Sequence, residues 1–285
     1  MSENVETWSG KSRTDENFPV GSALISKRLR PEIHAYYAFA RNADDIADSP
    51  ELAADDKIRR LDVMQAVLLG PGDDDMPSGG SPSGGSPSAL GLRASLARTG
   101  VSPRHATDLL VAFRQDATKL RYETWGELLE YCRHSAAPVG RHVLALHGES
   151  AATFPPSDAL CAALQVLNHL QDIQKDFSAL DRCYLPAELM RHHGTGIADI
   201  PRPAATPGMR RVIDALLDEC EALNRTARAL PSAVRDRRLR LETAVIVGLA
   251  ERLAARLRRA DPLAGRVKLS KPDAIAALFG ALRYW

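Results

Sequence analysis

Apolar residues recur at three- and four-residue steps through residues 23–47, 51–69, 104–120, 124–147, 158–180, 208–230, 234–259 and 272–282. No alternating run of useful length interrupts them. Steps of that size gather apolar side chains on one face of a helix, whereas a half-buried strand needs a period of two. The chain is therefore expected to be all-α, with no βαβ unit. Helix starts agree with this reading: Thr124 precedes WGELLEYC, Ser157 precedes DALCAAL, and Ser102-Pro103 precedes RHATDLL. Such residues cap or open helices. With 285 residues, 45% of them hydrophobic, the chain can bury a large core, and residues 1–285 are read as a single domain.

Three segments fall outside the helical pattern. Residues 1–16 are polar and acidic, unlike a secretory signal, and are expected to be disordered. Residues 70–88, GPGDDDMPSGGSPSGGSPS, read as a flexible surface loop inserted between helices. Asp73, Asp74 and Asp75 at its edge are better read as solvated charges than as metal ligands. A second, proline-rich loop spans 194–208. Net charge is +1, which gives no reason to expect a nucleic-acid partner. The four cysteines, Cys132, Cys161, Cys183 and Cys220, form no C-x-x-C, which fits a reducing cytoplasm better than a zinc site or disulfide framework. No eighteen-residue apolar stretch spans a membrane, although contact with a membrane surface stays open.

Two helices carry acidic faces. In YYAFARNADDIADSP, Asp44 and Asp48 are four apart, Asp45 lies on the adjacent edge, and Arg41 and Tyr37 continue the face backwards. In QVLNHLQDIQKDF, Asp172 and Asp176 repeat the spacing, with Asn168 and Gln165 extending the face. Like charges four apart destabilise a helix by a few tenths of a kcal/mol, and burying them unpaired costs far more. A divalent cation removes both penalties. Donors that are all oxygen suit Mg²⁺, which keeps several waters and completes its shell with substrate phosphates. Two such helices facing each other would cage a diphosphate. A single D-x-x-x-D is usually a solvated face, as Asp55-Asp56 and Asp214/Asp218 are read to be.

The wording YYAFARNADDIAD, followed by LNHLQDIQKDFSALDRCYLP, resembles the squalene/phytoene synthase family over roughly residues 17–283, leaving out the serine-glycine loop. Within that family, NFPVGS, LNHLQD and DR-YLP look most like the bacterial branch that serves hopanoid and squalene biosynthesis. The resemblance implies an isoprenoid synthase fold, with helices around a central apolar cavity and Mg²⁺ held by both aspartate motifs. Carried over by position, Asp44, Asp48, Asp172 and Asp176 match metal-binding aspartates, with Asn168 and Asp45 as accessories. Arg41 matches an arginine beside the diphosphate, and Ser22 a phosphate-contacting serine. Tyr131 matches a tyrosine near the cavity, Tyr184 opens the YLP that closes the second motif, and Val139 and Gly140 match the small residues of a kinked helix. The sequence departs from relatives at Lys175, where an acid is common, and at Asp181, where many carry glycine.

The expected substrate is presqualene diphosphate or another prenyl diphosphate. Ionisation, rearrangement and capture by water would give a hydroxylated squalene, without NADPH. Aromatic faces such as Tyr36, Tyr37 and Phe39 could stabilise the cation by roughly 0.5–2 kcal/mol each, although core packing is favoured for Tyr36 and Phe39. The histidines, among them His142, His147, His169, His192 and His193, read as exposed, capping or packing residues. The basic stretch RLRRADPLAGRVKLSK reads first as a solvated end. Its alternatives are Arg266 or Lys268 reaching the diphosphate, or contact with an anionic bilayer. Other squalene-pathway enzymes are conceivable partners. The rivals are a synthase condensing two prenyl diphosphates, a helical nucleotide pyrophosphohydrolase, and a non-catalytic helical relative.

Overall fold

The computed structural model describes residues 4–6, 24–70 and 85–285. The Asp73–Asp75 run and most of the 70–88 loop lie outside those residues, as does nearly all of 1–16. Among the described residues the regular structure is helical, apart from one isolated parallel bridge between Arg121 and Cys183. The chain separates into two compact units, 1–118 and 119–285. No helix among the described residues is long and apolar enough to cross a membrane.

The first unit holds α1 (Arg30–Asp48), α2 (Ala54–Leu69), α3 (Pro87–Thr99) and α4 (Arg104–Asp116). Tyr36 and Phe39 of α1 are buried, as the packing reading anticipates, and the Tyr36 hydroxyl donates to the His105 carbonyl at 3.1 Å. Lys57 Nζ donates to the Ala47 carbonyl at 2.9 Å and satisfies the last turn of α1. Helix α3 begins inside the stretch read as loop. The Ser86 side chain accepts from Ala89 N at 3.2 Å, and Pro87 follows it at the first helical position. Its small residues give a weak periodic signal, so only the cap marked it.

The second unit holds α5 (Trp125–Ser135), α6 (Ala137–Leu146), α7 (Phe154–Gln171), α8 (Ile173–Leu180), α9 (Ala187–His192), α10 (Pro207–Ala227), α11 (Leu230–Ala233), α12 (Arg237–Arg259) and α13 (Lys271–Ala281). Thr124 caps α5 as expected, accepting from Glu127 N at 3.1 Å. Ser157 caps nothing. Helix α7 starts earlier, at Phe154, and Ser157 is buried within it. The expected 124–147 helix breaks at Ala136 (φ −125°, ψ −46°), because Pro138 disfavours continuous helix through the residues before it. The break lets α6 approach α7 closely at Gly140. A Cβ there would lie 2.5 Å from Ser157 Oγ and 2.7 Å from Cys161 Sγ. Gly140→Ala is therefore expected to destabilise the protein by about 1–3 kcal/mol, read from its urea midpoint.

Candidate active site

In the first unit, Asp44, Asp45 and Asp48 lie in the final turns of α1, where no basic residue is present in the last turn. The backbone dipoles there present their negative end, so three carboxylates are unfavourably placed. Arg41 offsets part of this. Its Nη1 lies 3.0 Å from Asp44 Oδ2, and its Nη2 bonds Asp45 Oδ1. The two acids differ in exposure: the Asp44 side chain is 35% exposed and that of Asp45 only 3%. Asp45 is thus a structural partner of Arg41, while Asp44 and the half-buried Asp48 keep access to solvent. Tyr37, on the same face, is half-buried. Ser22 lies outside the described residues.

In the second unit, the 158–180 pattern is two helices that meet at Asp172 (φ −110°, ψ 16°). Asp172 stands at the N-terminus of α8 and Asp176 in its first turn, where backbone N–H groups favour negative charge. Arg266 grips Asp172 with two contacts, Nε to Oδ1 at 3.0 Å and Nη2 to Oδ2 at 3.3 Å. Arg266, although exposed, is therefore anchored to the second aspartate motif. A guanidinium fork matched to a carboxylate in this way is built for oxyanions.

Aromatic rings back this acidic corner. His169 stacks on Tyr184 at 3.5 Å between centroids, and its Nδ1 lies 3.8 Å from Asp176 Oδ2. Tyr131 packs against Tyr184 at 5.7 Å and Tyr122 at 5.4 Å, so Tyr131 and Tyr184, both expected at the site, belong to one cluster. Gln165 Nε2 lies 3.2 Å from His169 Nε2, which links the far end of the face to the corner. Asn168 sits one turn before Asp172, whose backbone N–H donates to its carbonyl at 3.0 Å. His169, Asp176, Tyr184 and the buried Arg182 line a cavity of about 10 Å³, room for one water. Neither Arg182 nor the His169 contact was legible as part of the site, because both depend on how residues 181–185 fold back past α8.

Other expectations resolve plainly. His142 is buried rather than exposed, whereas His147 Nδ1 lies 2.8 Å from the Val143 carbonyl and caps its helix. Lys175 is exposed. Asp181, where many relatives carry glycine, adopts the left-handed conformation (φ 50°), which aspartate tolerates better than most residues. Its carboxylate pairs with Arg121 at 2.5 Å. Asp56, Asp214 and Asp218 pair with surface arginines, as solvated faces do. Burial pushes the thiols of Cys132 to about 12 and Cys161 to about 11 and raises that of Cys183, so none is a ready nucleophile.

The donors fit a hard divalent cation. Asp44 and Asp48 in one unit, and Asn168, Asp172 and Asp176 in the other, offer only oxygen. All four carboxylates are partly open to solvent. Among the described residues no three His, Cys, Asp or Glu side chains already converge. Mg²⁺ does not require that, since one or two carboxylates with phosphate and water complete its shell.

The squalene/phytoene synthase family matches residues 11–273. A protein of Rhodopseudomonas palustris named hydroxysqualene synthase is 44% identical over 99% of this chain and 93% of its own length. One of the same name from Sinorhizobium fredii is 45% identical over 94% and 88%. A crystal structure of a squalene synthase from Alicyclobacillus acidocaldarius, 33% identical, superposes with a TM-score of 0.72, covering 87% of this chain and 90% of that one. The fold is the all-α isoprenoid synthase fold. The chain belongs to the squalene/phytoene synthase family.

Proposed function

We propose that the chain is a hydroxysqualene synthase acting on presqualene diphosphate. The observation that carries the reading is the Asp172–Arg266 pair at the α7–α8 break, beside Asp176 and a wall of packed tyrosines. Carboxylates, a guanidinium and aromatic faces together are what ionisation of a lipid diphosphate requires. Asp44, Asp48, Asp172 and Asp176, with Asn168, would hold Mg²⁺. When bound, the metal neutralises developing charge on the diphosphate oxygens.

Arg41 and Arg266 add fixed positive charge for the departing diphosphate, which takes the electron pair of the breaking C–O bond. The resulting cyclopropylcarbinyl cation rearranges to the 1′–1 linked skeleton. Tyr131 and Tyr184, both buried and packed against neighbouring rings, back this corner as an apolar wall that keeps water away from the cation. Cys183, adjoining Tyr184, keeps its proton because burial raises its pKa, and so is a poor trap for the cation. Water adds at the cationic carbon and releases a proton, so no reductant is consumed.

The experiment is direct. Purified protein with Mg²⁺ and presqualene diphosphate is expected to release diphosphate and hydroxysqualene, identified by mass spectrometry, without NADPH. If presqualene diphosphate persists while farnesyl diphosphate alone is condensed to it, the assignment falls and the condensing reading replaces it.

A further inference from the structure

Helix α13 is inside out. Its buried positions are the small Ala277 and Ala281, and Ala277 packs against Gly248 of α12, where a Cβ would meet its own at 3.3 Å. Its large apolar residues face solvent: Ile275, Leu278, Phe279 and Leu282 recur at i, i+3, i+4 and i+7, and Trp285 follows. Phe279 is 68% and Trp285 69% exposed. The hydrophobic effect alone would turn this helix over. A continuous apolar stripe left outside marks a surface that is covered when the protein works.

Charge identifies the cover. Residues 252–285 carry eight lysines and arginines against two aspartates, a net +6. The whole chain stands at +1, so residues 1–251 stand at −5. The cations border the stripe. Lys268 and Lys271 stand exposed at its start, Arg283 at its end, and Arg237 lies over the Trp285 ring at 5.3 Å. Beside α13 a groove of about 820 Å³ is lined by five cations, Arg266 and Lys268 among them, against two aspartates, Asp261 and Asp273. A second copy meeting this face by two-fold symmetry would bring like charge against like charge. A surface with apolar depth and anionic headgroups satisfies both features.

We propose that α13 and its cationic border dock the protein onto an anionic lipid bilayer, with Ile275, Leu278, Phe279, Leu282 and Trp285 entering the headgroup–acyl boundary. The docking does not depend on which prenyl diphosphate is turned over, and it places the cationic groove that includes Arg266 next to a lipid phase.

The full chain is sedimented with vesicles of equal parts phosphatidylcholine and phosphatidylglycerol, and with phosphatidylcholine alone. Binding is expected to the mixed vesicles and to weaken as salt rises. Phe279→Glu is expected to bind about tenfold more weakly, since it removes most of the largest apolar contact. Lys271→Gln and Arg283→Gln should each weaken binding roughly fivefold. Phe279, Lys271 and Arg283 are all exposed, so melting temperature and turnover of detergent-dispersed substrate should stay at wild-type levels in all three variants. The proposal is overturned if the wild type ignores the mixed vesicles at low salt, or if Phe279→Glu binds them as well as wild type. It is also overturned if sedimentation velocity shows a dimer that Phe279→Glu dissociates, since the face would then join two copies. The readout is independent of the reaction, so its failure would leave the proposed activity untouched.

Discussion

Asp172→Asn will keep the fold and lose kcat by about 10²–10³-fold with presqualene diphosphate and Mg²⁺. Asparagine preserves the shape of the side chain and one acceptor oxygen for Arg266, but not the charge. The pair it weakens is half open, with side-chain exposures of 17% and 40%, so the stability change should stay below about 1 kcal/mol. A loss of activity without a loss of stability separates a metal-holding carboxylate from a structural one. Wild-type kcat in purified Asp172→Asn, over a full Mg²⁺ titration, would remove the second aspartate motif from the mechanism.

Asp45→Ala will do the reverse of what its place in an aspartate-rich motif suggests. Its side chain is 3% exposed and bonded to Arg41, itself 12% exposed. Removing it leaves the guanidinium with Asp44 at 3.0 Å but strips one buried counter-charge, an expected cost of about 3 kcal/mol at the low end for a broken buried pair. Urea denaturation followed by circular dichroism reads it. Asp44→Ala, at the open neighbour, should cost under about 1 kcal/mol in the same titration while lowering turnover. Equal stability losses for the two variants would mean that burial does not distinguish their roles.

The contrast shows how far periodicity reaches. Spacing puts Asp44 and Asp48 on one helical face and Asp45 about 100° round the helix from Asp44, but it does not say which of these directions faces the core. Which of two adjacent acids turns inward depends on what packs against α1. The same holds for Asp172: four-residue spacing to Asp176 assumes an unbroken helix, whereas the backbone leaves helical geometry at Asp172. Periodicity alone likewise reads residues 124–147 as one helix, although Pro138 signals the break at Ala136 and the family resemblance implies a kink at Val139 and Gly140.

The fold class and both acidic motifs follow from local rules, because helical period, caps and side-chain spacing act over a few residues. Three things came only from tertiary structure. Arg266 meets Asp172 across 94 positions, and no short-range pattern can announce that contact. His169, Tyr131 and Tyr184 form one aromatic wall because the chain after α8 returns past it. Helix α13 carries a clear apolar stripe, and its sequence says that the stripe has a face. Which face packs inward was decided by α12, whose Gly248 lies close against Ala277.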